Sequence, residues 1–387
     1  MSNITRQGKI YLCFPNIFEF KGGIQVYSAF FLEALQSLYP DRNYEVFLKH
    51  DTRSLPEVPF LEGTNFHFTG KWPLPLRTFA FASQILGYGL YQRPDLIILT
   101  HLNFAPVAYW LKRLANIPYW TIAHGVEAWN IDRPTLQKGL QNADRIISVS
   151  GYTRDRLLTE QNLDPLKISL LPNTFDASRF QIAPKPPYLM ERYGLTPEDS
   201  VILTVARLDN SEQYKGYDRI IQALPEIRRY LPKVRYILVG KGNDRPRIEQ
   251  WIAKLNLQDC VTLAGFIPDS ELGDHYNLCD VFAMPSKGEG FGIVYLEALA
   301  CGKPTLGGDR DGAIDALCHG ELGALVSPDN VGEIAETLIS ILQRTFPHTN
   351  MYQPELLRQK VIDTFGFERY KKTLAELIEN SPIGVSQ

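Results

Sequence analysis

The sequence predicts an α/β protein built from two doubly wound parallel sheets that face a common cleft. Short apolar runs alternate with segments of helical periodicity from one end to the other, and the second half repeats the alternation of the first. Alternating β and α over such a length implies parallel sheets covered by helices on both faces. A chain of 387 residues also suits two domains of roughly 150–200 residues better than one.

The elements follow in order. Strand-like runs occupy 9–14, 45–48, 65–68, 95–100, 119–123, 145–150 and 167–171, with helix-period stretches at 24–38, 104–115 and 153–160. The second half places strands at 201–205, 234–239, 261–263 and 280–284, and helices at 217–231, 245–254, 293–301 and 331–343. The stretch APKPPY at 183–188 divides the two, because three prolines in six residues do not fit a helix interior or a central strand. Domains are therefore expected over 1–182 and 183–353, with a last helical segment within 354–387. Ligands of doubly wound sheets bind outside the carboxyl ends of the strands, so functional residues are expected just after strands.

Composition excludes several classes. With 44% hydrophobic and 21% charged residues, 28 Gly and 26 Pro, the chain is neither disordered, collagenous nor coiled-coil. Net charge is −3, with a slight basic excess in 1–180 and an acidic one beyond, unlike a nucleic-acid binder. Five cysteines with no Cys-x-x-Cys pair argue against a disulfide framework or a zinc site and for a reducing compartment. The start lacks the pattern of a signal peptide, and the uncharged stretch 96–111 is too short and too polar to span a bilayer. A cytoplasmic protein without a transmembrane helix is expected.

The segment PSKGEGFGIVYLEALACG at 285–302 carries the strongest chemical signal. A strand ends at Met284, Gly288, Gly290 and Gly292 permit close backbone approach, and a helix begins near Ile293. A glycine turn at a helix N-terminus presents free N–H groups to an anion. Glu289 lies in the turn and Glu297 eight residues on; a carboxylate accepts two hydrogen bonds side by side, as a vicinal diol offers. Compensation of the helix dipole is the plainer reading of Glu289. Glu297, among apolar residues, needs a polar partner.

Arg207 follows a strand and Lys215 immediately precedes a helix, the wrong end of the dipole for a cation. A bound diphosphate would resolve that conflict; a solvated surface pair is the alternative. Gly22 and Gly23 open the first helix, as a ligand-facing turn or as a flexible one, and His124 directly follows the strand 119–123. The pair Asp309 and Asp311 reads as a turn and not as a metal site. The aromatic, mildly basic run 71–93 reads as a core helix with its approach loop, with peripheral membrane contact as the weaker alternative.

Glu289 and Glu297 within EGFGIVYLE resemble the E-x7-E signature of the retaining glycosyltransferases of family 4, which have the GT-B fold of two Rossmann-like domains. The resemblance extends over nearly the whole chain: Gly22 and Gly23 in KGGIQVY, His124 in AHGVEAW, SVSGYTRDRL, LLPNTFDASRF, Arg207 with Lys215-Gly216, VGKGNDR and GFIPDSEL. Thr174 stands where the family has glycine, Ile314-Asp315 replaces its Pro-Glu, and the loop 307–315 is unusually charged.

The resemblance implies a nucleotide-diphosphate sugar donor on the second domain. Arg207, Lys215 and the N–H groups around Gly290, Phe291, Gly292, Ile293 and Val294 would offset the charge of the leaving diphosphate without a metal or other cofactor. Glu297 would hold the ribose, Glu289 the sugar hydroxyls, and Ile267, beside Phe266, the base. Gly22, Gly23 and His124 would act from the acceptor-side domain, and the last helical segment would pack back on that domain. Retention implies that a diphosphate oxygen takes the acceptor's proton, so Glu289 positions the sugar and is no nucleophile.

A hexose from UDP-glucose is the first expectation, GDP-mannose the next. The acceptor is expected to be a saccharide or lipid-linked saccharide in surface polysaccharide or glycoconjugate synthesis, at the inner face of a membrane. A nucleotide-sugar epimerase and a non-enzymatic sugar-binding protein are the alternatives on this fold.

Overall fold

A computed structural model describes residues 8–19, 22–53, 60 and 64–380. Internal contacts divide the chain into two compact units, Met1–Thr174 with Phe367–Gln387, and Phe175–Gly366.

The first unit carries strands β1 (Lys9–Phe14), β2 (Asn43–Leu48), β3 (Asn65–Phe68), β4 (Leu96–Leu99), β5 (Tyr119–Ala123), β6 (Arg145–Ser148) and β7 (Ile168–Leu170). They form one sheet in the order β3-β2-β1-β4-β5-β6-β7, all neighbours parallel. β4 and β5 are buried at every residue, which is why LIIL and YWTIA show no polar alternation. Helices α1 (Gly23–Leu38), α2 (Leu74–Gln92), α3 (Ala105–Ala115), α4 (Pro134–Gln141) and α5 (Gly151–Glu160) connect them. The expected core helix at 71–93 is α2, yet only Phe81, Ile85 and Gly89 of it are buried. A Cβ on Gly89 would lie 2.8 Å from the Leu111 side chain, so this glycine lets α2 lie close against α3.

The second unit begins with α6 (Pro187–Arg192), then β8 (Ser200–Val205), α7 (Tyr217–Tyr230), β9 (Val234–Val239), α8 (Arg245–Lys254), β10 (Val261–Gly265), α9 (Asp269–Leu278) and β11 (Val281–Met284). It continues with α10 (Ile293–Ala300), β12 (Thr305–Gly308), α11 (Ala313–Ala316), β13 (Ala324–Val326), α12 (Val331–Leu342) and α13 (Pro354–Phe365). The sheet is parallel in the order β10-β9-β8-β11-β12-β13.

The division at 174/175 precedes the proline stretch 183–188 because that stretch is tied to the second unit. Ala183 N–H donates to Asn277 at 3.0 Å, Lys185 pairs with Asp280 at 2.7 Å, and Pro187 opens α6. The final helical segment is also split. α13 packs on α10 within the second unit, whereas α14 (Phe367–Glu379) packs on α1 in the first, with Phe367 against Phe30 and Tyr370 against Tyr27. Gly366 separates them: its backbone is extended, and a Cβ there would lie 2.5 Å from the Ile362 carbonyl oxygen.

Strand order reverses between β1 and β4 in the first sheet and between β8 and β11 in the second. A doubly wound sheet opens its ligand crevice at such a reversal, beyond the carboxyl ends of the two strands. In the second sheet, Arg207 and the glycine turn 285–292 follow those two strands.

Candidate functional site

Close backbone packing brings the β8 and β11 loops together. Gly216 adopts φ +76°, and a Cβ on it would sit 2.2 Å from the Pro285 carbonyl oxygen. Lys287 N–H donates to the Tyr214 carbonyl at 2.9 Å, and Gly288 lies directly against the Tyr214 ring. The turn 210–215 is closed by Asp209, whose carboxylate accepts the Ser211 N–H at 2.9 Å.

The result is a chain of alternating charges. Lys215 Nζ donates to Glu289 Oε1 and lies 3.6 Å from Glu212 Oε2, while Arg207 Nη1 lies 3.2 Å from Glu212 Oε1. Burial alone would lower the pKa of the Lys215 ammonium, but the Glu289 and Glu212 carboxylates outweigh it and hold the group charged. Those carboxylates also relieve the unfavourable place of Lys215 before α7. Glu212, between the two cations, was not singled out in the sequence; nothing in its local pattern distinguishes it from a solvated turn residue.

The turn carrying Glu289 is clamped from the loop 307–315. Asp311, fully buried, accepts the Glu289 N–H at 2.7 Å and the Ala313 N–H at 2.9 Å, and the Gly312 N–H donates to the Glu289 carbonyl at 2.8 Å. Burial pushes the Asp311 carboxyl up to about 6, against the pull of these hydrogen bonds. Asp311, and not Ile314-Asp315, is the residue of that loop that meets the site.

Gly292 caps α10 at φ +91°, where a Cβ would lie 2.5 Å from the Tyr295 ring. Ile293 and Val294 follow as the first helical residues, whose N–H groups have no acceptor within the helix. Gly290 and Phe291 are buried, Phe291 edge-on to Phe365. Glu297 meets its expected polar partner in Tyr276 of α9, whose hydroxyl donates to Oε2 at 2.7 Å. Burial pushes the Glu297 carboxyl up to about 7, with the Tyr276 bond opposing. Ile267 is almost buried, while Phe266 beside it is 67% exposed with Lys241 Nζ 5.0 Å from its ring centre.

Gly22, Gly23 and His124 belong to the first unit. Gly22 is extended at the N-cap of α1, and a Cβ on Gly23 would meet nothing within 4 Å, so neither glycine is demanded by its own backbone. The preceding loop is held by buried Asp51, which accepts the N–H groups of Ile17, Phe18 and Glu19 at 2.7–3.1 Å. His124 follows β5 with its ring edge-on to Tyr27 of α1, centroids 4.8 Å apart. Its Nε2 donates to the Thr100 carbonyl at 2.9 Å, and its backbone N–H donates to Glu127 at 2.6 Å. Burial, with His101 nearby, pushes the imidazole down to about 3, so it is neutral near pH 7 and presents Nδ1 as an acceptor.

The structure thus joins Arg207, Lys215, Glu289, the 290–294 backbone and Glu297 in one unit. It joins α1 and His124 in the other.

Two family models match successive parts of the chain, Glycosyltransferase Family 4 over residues 21–179 and Glycosyl transferases group 1 over 189–354. A GDP-mannose-dependent alpha-(1-6)-phosphatidylinositol monomannoside mannosyltransferase of Mycolicibacterium smegmatis is 34% identical over 233 residues, which is 57% of this chain and 59% of the relative. The match therefore spans under two thirds of that relative's length. A D-inositol 3-phosphate glycosyltransferase of Streptomyces bingchenggensis is 24% identical over 82% of this chain and 76% of its own. Among solved structures, Anabaena Alr3699/HepE in complex with UDP and glucose superposes with a TM-score of 0.77 at 20% identity, covering 96% of this chain and 99% of that one.

Proposed function

The chain belongs to glycosyltransferase family 4, and we propose that it moves a hexose, with retention and without a metal, from a nucleotide-diphosphate sugar to a hydroxyl of a saccharide or lipid-linked saccharide. The observation that carries this reading is the grouping of Arg207, Lys215, Glu289 and Glu297 around the glycine turn before α10.

The donor's diphosphate lies against Lys215, Arg207 and the N–H groups of Ile293 and Val294, which stabilise charge as the anomeric C–O bond breaks. Lys215 is then shared between Glu289 and the diphosphate. Glu289 accepts hydrogen bonds from the sugar hydroxyls, and Glu297, held by Tyr276 on one oxygen, takes the ribose on the other. The acceptor hydroxyl bonds to the anomeric carbon on the face that the diphosphate leaves, and its proton passes to a diphosphate oxygen. In the first unit, neutral His124 presents Nδ1 as an acceptor for a sugar hydroxyl.

UDP-glucose is the first donor to try, since the Anabaena protein of like fold was solved with UDP and glucose; the mycolicibacterial relative is named for GDP-mannose. The setting is synthesis of a surface polysaccharide or glycoconjugate on the cytoplasmic side of a membrane.

Proton NMR of the first-formed product tests this. An α-linked donor yields an α-linked product in the presence of chelator. A β-linked product contradicts retention, and loss of turnover in chelator contradicts independence from metal.

A further inference from the structure

Most of the large apolar side chains that the described surface exposes fall in one part of the first unit. Trp72, Leu74, Leu76, Phe79, Tyr88, Leu90 and Tyr91 belong to α2 and its approach, and Trp110 and Leu114 to α3. Phe79 is 74% exposed and Tyr91 88%. Scattered exposed hydrophobes need no explanation, but a cluster of this size marks an interaction surface.

The helix pattern is unusual. Phe81, Ile85 and Gly89 recur every four residues and face the core. Leu76, Phe79, Ser83, Gly87 and Leu90 recur at i, i+3, i+7, i+11 and i+14, a second stripe exposed throughout and without charge. Arg77 is the one charged residue of the whole helix. A surface helix of a water-soluble protein ordinarily turns charges outward; this one turns apolar and small residues to both sides.

The charges in this stretch of chain are mostly basic, with Lys112 paired to Asp144 at 2.6 Å. Between 71 and 116 the sequence holds Lys71, Arg77, Arg93, Lys112 and Arg113 against a single acid, Asp95. Asp95 is turned back to the β1 edge, accepting the Lys9 N–H at 2.6 Å. Lys71, Arg93 and Arg113 are exposed, the first two beyond opposite ends of α2. Because Gly89 lets α2 lie against Leu111 of α3, the exposed residues at the α2 C-terminus and those of α3 flank one close contact.

We propose that the outward stripe of α2, with Trp110 and Leu114 of α3, docks on an anionic lipid bilayer surface. Tryptophan, tyrosine and phenylalanine sit at the boundary of headgroups and acyl chains, and flanking lysine and arginine meet anionic headgroups. A second protein surface would match the apolar stripe equally well, but it gives no reason for cations at both helix ends, where the one exposed acid between 71 and 116, Asp95, is committed to the Lys9 N–H. The helix lies flat and does not cross. Its inner stripe is committed to the core, and among the described residues no helix is long and apolar enough to span a membrane. This surface stands on its own observations and does not rest on the donor reading.

Flotation with vesicles of phosphatidylcholine alone, and of phosphatidylcholine mixed with phosphatidylglycerol, tests the proposal. The wild-type chain is expected to float with the anionic vesicles and to be released by high salt. Phe79→Glu combined with Tyr91→Glu should cut binding by ~10-fold or more, and Lys71→Glu combined with Arg93→Glu should remove the preference for anionic lipid. Both pairs are exposed, so unchanged melting temperatures and unchanged nucleotide binding accompany the loss; if the first pair does not fold, Tyr91→Glu alone is read in the same way.

Wild-type protein that stays with the unbound fraction overturns the proposal, as does equal binding to neutral vesicles. A wild-type dimer that Phe79→Glu with Tyr91→Glu converts to monomer, without vesicle binding, identifies the stripe as a self-association surface and also overturns it. Vesicle binding without nucleotide binding leaves this surface standing and refutes the donor reading instead.

Discussion

Asp311 holds Glu289 by its backbone. The buried Asp311 carboxylate accepts the Glu289 N–H, and the next residue, Gly312, donates its own N–H to the Glu289 carbonyl. Both main-chain groups of the acidic residue nearest Lys215 are therefore fixed from a second loop, while its side chain meets the ammonium. If Glu289 holds the sugar as proposed, Asp311 acts through it and is a positioning residue.

Asp311→Ala should lower kcat for transfer at least ~10-fold and cost ~1–3 kcal/mol of stability, because the buried Ala313 N–H and the part-buried Glu289 N–H lose their acceptor. Asp311→Asn, which keeps one acceptor oxygen, should restore part of both. A stability loss with kcat unchanged would leave Asp311 a structural brace only.

Glu212 bridges the two cations that the donor's diphosphate is to meet. Removing its charge with Glu212→Gln should strengthen nucleoside diphosphate binding by about 1 kcal/mol, the scale of a partly exposed ion pair. Titration calorimetry reads this directly, and weaker binding would show that Glu212 orients the cations instead of competing for them.

Lys215→Ala and Glu289→Gln should separate binding from turnover. The first should weaken nucleoside diphosphate affinity by ~1–3 kcal/mol, for a lost charged hydrogen bond. The second should abolish or severely reduce transfer with affinity for the diphosphate near normal, since Glu289 is assigned to the sugar. Equal losses of both properties in Glu289→Gln would contradict that assignment.

Glu297 predicts a pH dependence. Its pKa is raised by burial from 4.5 to about 7, so the folded state holds more protons than the unfolded state between those values. Stability from this group is thus greatest at low pH and declines as pH rises through about 7. Binding to the ribose requires the ionised form, so donor affinity should rise over the same interval. Affinity measured from pH 6 to 8 should climb in the wild type and stay level in Glu297→Gln; a level wild-type profile would remove Glu297 from the ribose.

The strands and the E-x7-E segment were legible because each is local. β1, β5 and β9 are apolar runs bounded by turn residues, and Glu297 stands out among Val294, Leu296 and Leu299. What supports those residues was not legible. β12 is TLGG, which has no side-chain pattern, and it persists as a strand through its neighbours β11 and β13. α9, DSELGDHYNL, is too polar and glycine-interrupted to read as amphipathic, yet it supplies Tyr276 to Glu297. Asp311 looked like a turn residue because its partner lies 22 positions away, a separation that no periodicity reveals. The length of 71–93 as a helix was readable, but its outward apolar stripe appears only once Phe81, Ile85 and Gly89 are seen to take the core side.

Thermal unfolding of wild-type and Lys215→Ala protein with UDP, GDP, ADP and their common sugar conjugates, without metal, tests the donor site most directly. One nucleotide at a hundredfold excess over its dissociation constant should stabilise the wild type by ~2.7 kcal/mol, and the variant by clearly less. No stabilisation by any nucleotide, or equal stabilisation of the two proteins, would contradict the assignment of Arg207 and Lys215 to the diphosphate.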